Sequence, residues 1–534
     1  MIDSPHPVPP PQGGRESQKS PSPLRGEGWG GGGDTFRNLG DLIPHNRDLS
    51  KIAIIDLGGE PSPREFSFAT LDTMANGVAS ALLGRGLKRG DRVALLSVNR
   101  AEYIAAYYGI MRAGLVAVPV NFKFPRAMID FVLRDSGAKL VFCDAARRAE
   151  VPADLQAIVF GATFEHFLAR GPFEPVTPTS DEAAMFLYTS GSTGKPKGVA
   201  LSHQSHLWVV ERRLEGQELE RHRFLIAAPL YHMNALALAK LACAAHATIV
   251  LLPQFTAPDY IAAIERYCCT WLTAVPPMIA MMLRERDLLA RTDLASVEFV
   301  RMGSAPVSPS LWEALARALP QAKATNAYGT TEAGPVVFGP HPKGLKQPPD
   351  SVGYPHPAVE LRLVDGGNQD AEQGVLEMKC PAVMLGYHNR PDLKDAITAD
   401  GFYVTKDVFR RDRDGFYYFV GRTDDMFVCG GENIYPGDVE RMLETHPAIA
   451  QAAVVPIDDA MKGQKPVAFV VRKDGTALTA EEVKRHALAN APANEHPRFV
   501  WFLDRLPLAS TSKVDRTALM TLAKECVAAE NTVS

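Results

Sequence analysis

The stretch Tyr188-Thr189-Ser190-Gly191-Ser192-Thr193-Gly194-Lys195-Pro196-Lys197-Gly198-Val199 follows an apolar strand expected over residues 183–187 and precedes a second apolar segment. Its glycines let the backbone approach polyphosphate oxygens, and the hydroxyls of Thr189, Ser190, Ser192 and Thr193 add donors. The composition therefore reads as a phosphate-cradling loop between two strands. It is not a Walker A loop. Counting back from Gly194-Lys195, Thr189 stands where that motif needs its first glycine, and Pro196 stands where Ser or Thr would hold magnesium.

On either side of the loop, apolar periodicity alternates between strand and helix. Strands are expected over residues 92–98, 116–120, 140–143, 223–228, 247–252, 270–275 and 297–302, with helices such as 101–112 between them. An earlier helix is expected from the spacing of Leu71, Met74, Ala75, Val78 and Leu82, capped by Thr70 and stopped by Gly84. Such alternation means parallel sheets covered by helices, so the fold class is α/β. From about residue 355 the pattern changes to short strands and turns (375–379, 402–405, 416–420), read as a small antiparallel β section. Beyond Gly421 a smaller α+β unit is expected, with helices near 436–444 and 480–489 and strands over 452–456, 467–472 and 499–503. The boundary falls near Arg422.

Composition narrows the function. The 534 residues are 46% hydrophobic and 22% charged, enough to bury a sizeable core. A net charge of −4 offers no excess of cations for a phosphate backbone, so nucleic acid is a poor partner. Seven cysteines without metal-ligand spacing suit free thiols in a reducing, cytoplasmic compartment. The longest apolar stretch, residues 236–253, is interrupted by Lys240 and His246 and is too short for a membrane span. Residues 1–34 hold seven Pro, eight Gly and four Ser, and read as a disordered tail outside the fold.

The whole phosphate loop resembles that of the AMP-forming acyl- and aryl-CoA synthetases, the adenylate-forming superfamily that also holds peptide-synthetase adenylation domains and luciferases. Further motifs follow in the family's order. Tyr328-Gly329-Thr330-Thr331-Glu332-Ala333-Gly334 resembles its adenine-and-magnesium motif, Tyr403-Val404-Thr405-Lys406-Asp407 its ribose motif, and Gly421-Arg422-Thr423-Asp424-Asp425 its hinge. Gly430-Gly431-Glu432-Asn433-Ile434-Tyr435-Pro436 resembles the start of its C-terminal domain, and residues 506–516, with Lys513, its terminal lysine motif. The resemblance spans about residues 37–525. It implies an N-terminal adenylate-forming domain over 35–421, a hinge over 422–425 around Asp424, and a mobile C-terminal domain over 426–534.

It also implies roles. Ser190, Gly191, Ser192, Thr193, Gly194, Lys195 and Lys197 would hold phosphates, with Thr189 beside the reacting groups. Gly303, Ser304, Ala305, Pro306, Asn326, Ala327, Tyr328, Gly329, Thr330 and Thr331 would form the adenine site. Asp407 and Arg422 would hold the ribose, since a carboxylate can accept from both hydroxyls. Glu332 would bind Mg2+, a hard cation that favours carboxylate oxygen. Lys513 would bridge the incoming carboxylate and the α-phosphate. His232, Met233 and Asn234 resemble the acyl-pocket motif, and Gly430 and Gly431 the wall of the pantetheine channel. Two positions depart from the family pattern: Lys406 and Ser512 stand where glycine is common.

The reaction expected is ATP-dependent activation of a fatty or aromatic carboxylic acid through acyl-AMP, then transfer to coenzyme A with release of AMP and pyrophosphate. The partners are thus small molecules, with no integral membrane contact expected. The rival readings are a ligase that loads a carrier protein and a nucleotide-binding relative without catalysis.

Overall fold

A computed structural model describes residues 36–534 apart from 60–61, 191–194, 306, 460, 510–512 and 534. The tail expected over residues 1–34 lies outside the described residues. The fold is mixed α/β, with two large sheets and separate antiparallel sheets.

One seven-stranded sheet runs in the order Lys323–Ala327, Phe299–Gly303, Trp271–Ala274, Arg223–Ile226, Thr248–Leu251, Ile52–Asp56, Arg64–Ser67. All its pairs are parallel except the last. The second runs Gly386–Tyr387, Pro196–Ser202, Ala183–Ser190, Val116–Pro119, Arg92–Leu96, Ala138–Cys143, Gln156–Val159, with the first two pairs antiparallel. Inner strands such as Val116–Pro119, Arg92–Leu96 and Thr248–Leu251 are mainly apolar and almost wholly buried, as parallel strands covered on both faces must be.

The helix Ala101–Arg112 is buried on every side, the state expected of a helix without a polar face. It packs so closely on the helix Phe68–Gly84 that a Cβ on Gly109 would stand 2.5 Å from the Ala75 carbonyl oxygen. The cap of Phe68–Gly84 differs from expectation. Ser67, not Thr70, supplies it, accepting from the Thr70 amide, and the helix starts one turn earlier. Spacing of apolar residues cannot locate a first turn that carries Ala69 and Thr70 on its outer side.

Glu360–Val364, Gln373–Lys379, Tyr403–Arg411 and Tyr417–Arg422 form a four-stranded antiparallel sheet. Beyond it, Phe427–Cys429, Glu432–Ile434, Ile449–Asp459, Gly463–Arg472 and Val500–Phe502 form a five-stranded sheet with its own apolar clusters under the helices Pro436–Glu444, Ala480–Asn490 and Arg516–Val533. No helix of the described residues is long and apolar enough to cross a membrane.

Candidate active site

The phosphate-loop stretch sits at the tip of a hairpin. Ala183–Ser190 pairs antiparallel with Pro196–Ser202, Thr189 opposite Lys197 and Ser190 opposite Pro196. Gly191, Ser192, Thr193 and Gly194 lie outside the described residues. Below the tip, the Tyr188 hydroxyl donates to Asp135 Oδ2 at 2.6 Å, and a Cβ on Gly198 would come within 2.9 Å of the Tyr188 ring. Glycine is therefore required there for the tyrosine to cross the hairpin. Lys195 is exposed, and Lys197 Nζ stands 4.8 Å over the Tyr387 ring. Burial lowers the Lys197 pKa, and Glu332 works against that.

The residues expected to form the adenine site lie at two strand ends. The parallel strands Phe299–Gly303 and Lys323–Ala327 end together, Gly303 beside Ala327 and Met302 beside Asn326. A Cβ on Gly303 would stand 2.9 Å from the Ala327 carbonyl oxygen, so only glycine fits. Ser304 turns the chain with φ of 69°, Ala305 is half-buried, and Pro306 lies outside the described residues. After Tyr328 the chain closes on itself. The Gly334 amide donates to the Thr330 carbonyl at 2.9 Å, and the Thr330 amide returns the bond at 3.3 Å. Gly329 lies under this closure, where a Cβ would meet Pro335 at 2.7 Å. Thr331 and Glu332 sit on the closed loop, half-buried, and Glu332 Oε1 accepts from the Tyr387 hydroxyl at 2.9 Å.

Asp407 is held on both oxygens. Arg422 Nη1 donates to Oδ1 at 2.7 Å, and the Tyr328 hydroxyl donates to Oδ2 at 2.5 Å. The two charged residues are cross-strand partners on Tyr403–Arg411 and Tyr417–Arg422. A bulge sets the aspartate there. Val375 faces Val408 and Glu377 faces Val404, so residues 405–407 stand against Leu376 alone. The middle residue, Lys406, has φ of 61°. The glycine common in the family is absent here, and the lysine takes left-handed backbone at the steric cost that a side chain incurs there. Burial lowers the Arg422 pKa most, but Asp407, Asp425, Tyr328 and Tyr403 together outweigh it and the net shift is upward.

Lys513 comes to this same place from the end of the chain. The segment folds back through a 2.7 Å bond from the Ala509 amide to the Lys513 carbonyl, and Arg516 anchors it on Glu440 at 2.6 and 2.9 Å. Lys513 keeps exposed surface, yet burial lowers its pKa, with further effects from Arg422, Asp407, Glu332 and Asp425. His232 also feels this lysine. That imidazole is pushed down to about 4 by burial and then by Lys513 and Lys123, so it is neutral at neutral pH. His232 precedes the helix Met233–Ala244, whose first residues, Met233 and Asn234, are half-buried.

Asp424 lies just beyond the strand ending at Arg422 and pairs with Lys406 at 3.2 Å. Gly430 and Gly431, with φ of 63° and 91°, form the exposed two-residue turn between Phe427–Cys429 and Glu432–Ile434. Both positive angles suit the tight hairpin turn that glycine favours. The structure thus brings Glu332, Asp407, Arg422, His232 and Lys513 into one electrostatic neighbourhood. Sequence reasoning missed Tyr387 and Asp135. Neither belongs to a motif: Tyr387 lies in a two-residue strand and Asp135 ends a helix, so only the folded chain brings them to Glu332 and Tyr188.

Residues 45–388 match the AMP-binding enzyme family and residues 438–513 the AMP-binding enzyme C-terminal domain. The chain is 31% identical over 462 residues to a feruloyl-CoA synthase of Amycolatopsis sp, covering 84% of this chain and 92% of that one. It is 32% identical over 444 residues to the 2-succinylbenzoate–CoA ligase of Bacillus velezensis, covering 82% and 89%. Among solved structures, the anthranilate CoA ligase AuaEII in complex with anthranoyl-AMP superposes with a TM-score of 0.82 at 26% identity, over 93% of this chain and 99% of that one. The Bacillus subtilis o-succinylbenzoate CoA synthetase with its acyl-adenylate intermediate gives 0.77 at 29%, over 89% and 96%. The chain belongs to the AMP-binding enzyme family and is an AMP-forming acid–CoA ligase.

Proposed function

We propose that the enzyme activates an aromatic carboxylic acid, and that Lys513 supplies the charge on which the adenylation step depends. The observation that carries this reading is the convergence of Lys513 with Glu332, Asp407, Arg422 and His232. Attack of a carboxylate on the α-phosphate of ATP brings two anions together. A cation fixed between them offsets the repulsion and stabilises the transition state. The aromatic substrate is supported by relatives named for ferulate, 4-coumarate, 2-succinylbenzoate and anthranilate.

The other roles follow from chemistry. Asp407, whose pKa burial raises and Arg422 works to lower, accepts from ribose hydroxyls. Gly303, Ser304, Ala305, Asn326, Ala327 and Gly329 give the adenine a thin wall that side chains would block. Thr189, Ser190, Lys195 and Lys197 hold phosphates at the hairpin mouth, and neutral His232 packs beside the acyl carboxylate with Met233 and Asn234. The residues fit Mg2+. One Glu332 oxygen is engaged by Tyr387 and its other has no partner among the described hydrogen bonds, and magnesium takes one or two carboxylates with phosphate and water completing its shell. Glu332 would hold the ion, which supplies neutralisation of phosphate charge.

After adenylation, the chain beyond the hinge at 422–425 turns about Asp424 and brings Gly430-Gly431 to the path of coenzyme A. The thiol then displaces AMP from the acyl group. Cys143, Cys243 and Cys269, held as buried thiols, support a cytoplasmic setting. The test is pyrophosphate release across a panel of aromatic and aliphatic acids, followed by thioester formation with coenzyme A alone. Release confined to aliphatic acids would refute the aromatic assignment, and no thioester with free coenzyme A would favour carrier-protein loading.

A further inference from the structure

Buried cations elsewhere in this chain are met by carboxylates. Arg112, 1% exposed, has Asp72 at 2.7 Å and Asp41 at 3.4 Å. Arg64 has Asp56 at 2.5 Å and Glu102 at 2.6 Å. This is what physics requires, because a charge removed from water costs several kcal/mol unless it is paired.

One group departs from that rule. Lys240 is 0% exposed and its Nζ meets His206 Nδ1 at 3.2 Å, a ring equally buried, whose Nε2 has no partner. Arg213 Nη1 donates to the Ala237 carbonyl and Arg301 Nη2 to the Pro335 carbonyl, both long at 3.4 Å and both to neutral acceptors. No carboxylate of the described residues lies within ion-pair distance of Lys240, Arg213 or Arg301. The charges bear on one another in sequence, Lys240 on His206, Arg213 on Lys240 and Arg301 on Arg213. Burial pushes Lys240 down to about 7 and Arg301 to about 10.

The location ties this group to the acyl site. Ala237 is one helical turn beyond Met233 on the same face. Arg213 is one turn beyond Val209, whose side chain stands 3.1 Å from where a Cβ of Gly334 would be. Arg301 is two residues before Gly303, and Pro335 three beyond Glu332. Arg213 and Arg301 are both half-buried, so each keeps some accessible surface. Lys240 and His206 lie behind them, fully enclosed.

We propose that Arg213 and Arg301 form the inner end of the acyl pocket and bind a second carboxylate on the acid, remote from the carboxyl that is adenylated. The substrate class is therefore a dicarboxylic acid. This rests on the acid–ligase reading above and narrows it. A planar guanidinium fork matches a carboxylate with two parallel hydrogen bonds, and the long bonds both arginines now make are readily exchanged for it. Lys240, behind them, adds positive charge when the anion arrives.

The experiment measures pyrophosphate release with pairs of aromatic acids that differ only in a remote carboxylate or its carboxamide. The wild-type enzyme should favour the dicarboxylate at least tenfold in kcat/KM. Arg301→Leu should lower that ratio tenfold or more, and Arg213→Met, at the edge of the cluster, repeats the test if the first variant fails to fold. Arg213→Lys should recover part of the ratio. Equal or reversed preference in the wild type, or a ratio unchanged in the folded variants, would overturn the subsite while leaving the ligase reading intact. Release with no acid at all would sink both.

Discussion

Lys406 Nζ stands 3.2 Å from Asp424 Oδ1, and the lysine that reaches across is itself held in left-handed backbone, φ 61°. The position that departs from the family's glycine therefore keeps the bulge that sets Asp407 and adds a contact to the proposed hinge.

Two substitutions separate these effects. Lys406→Gly and Lys406→Ala both remove the ion pair, worth at most about 1 kcal/mol at an exposed site. Only glycine also relieves the left-handed strain, so the glycine variant should be the more stable by about 1 kcal/mol. Denaturant midpoints measure this, and equal stabilities would argue against the backbone described at Lys406.

Asp407→Asn keeps shape but removes charge and replaces one acceptor oxygen with a donor. Arg422 and the Tyr328 hydroxyl both donate to this side chain, so one of them is left facing an NH2. The KM for ATP should rise tenfold or more and stability fall by about 1–3 kcal/mol. An unchanged KM would remove Asp407 from the nucleotide site.

His203 gives a pH test. It is 1% exposed, its Nδ1 accepts from the Leu39 amide at 3.0 Å, and burial pushes it down to about 4. Its folded pKa lies below its unfolded one, so the unfolded chain binds more protons between about pH 6.5 and 4. Stability contributed by the neutral ring is full above pH 6.5 and is lost as pH falls toward 4. His203→Gln should flatten that part of the Tm profile, and a wild-type profile already flat there contradicts the assignment.

Asp424→Pro would fix φ near −65° and restrict Thr423, whose amide now bonds the Lys406 carbonyl at 2.9 Å. Acyl-AMP formation should largely survive while thioester formation falls sharply. Equal loss in both half-reactions would reject the hinge.

Elements with strong periodicity were legible in the chain. The helix expected over 101–112 is found as Ala101–Arg112, and that over 436–444 as Pro436–Glu444. Strands with mixed faces were not: Lys323–Ala327 carries no apolar run and takes its place by pairing with Phe299–Gly303. The site shows the same division. Motifs named Asp407, Arg422 and Tyr328, but the sharing of one carboxylate by both donors depends on a bulge that spacing does not reveal. Arg213 and Lys240 belong to no motif, since their meeting depends on how two helices pack.

The central claim is that Lys513 acts in adenylation. Both half-reactions should be measured in Lys513→Ala, acyl-AMP formation from acid and ATP, and thioester formation from supplied acyl-AMP and coenzyme A. Loss of one preorganised charge should slow the first by on the order of a hundredfold or more, with the second nearly normal. Lys513→Arg should restore adenylation only in part, because a planar fork does not replace a compact ammonium between two anions. A normal adenylation rate in Lys513→Ala would contradict the account and leave the lysine a solvated surface residue.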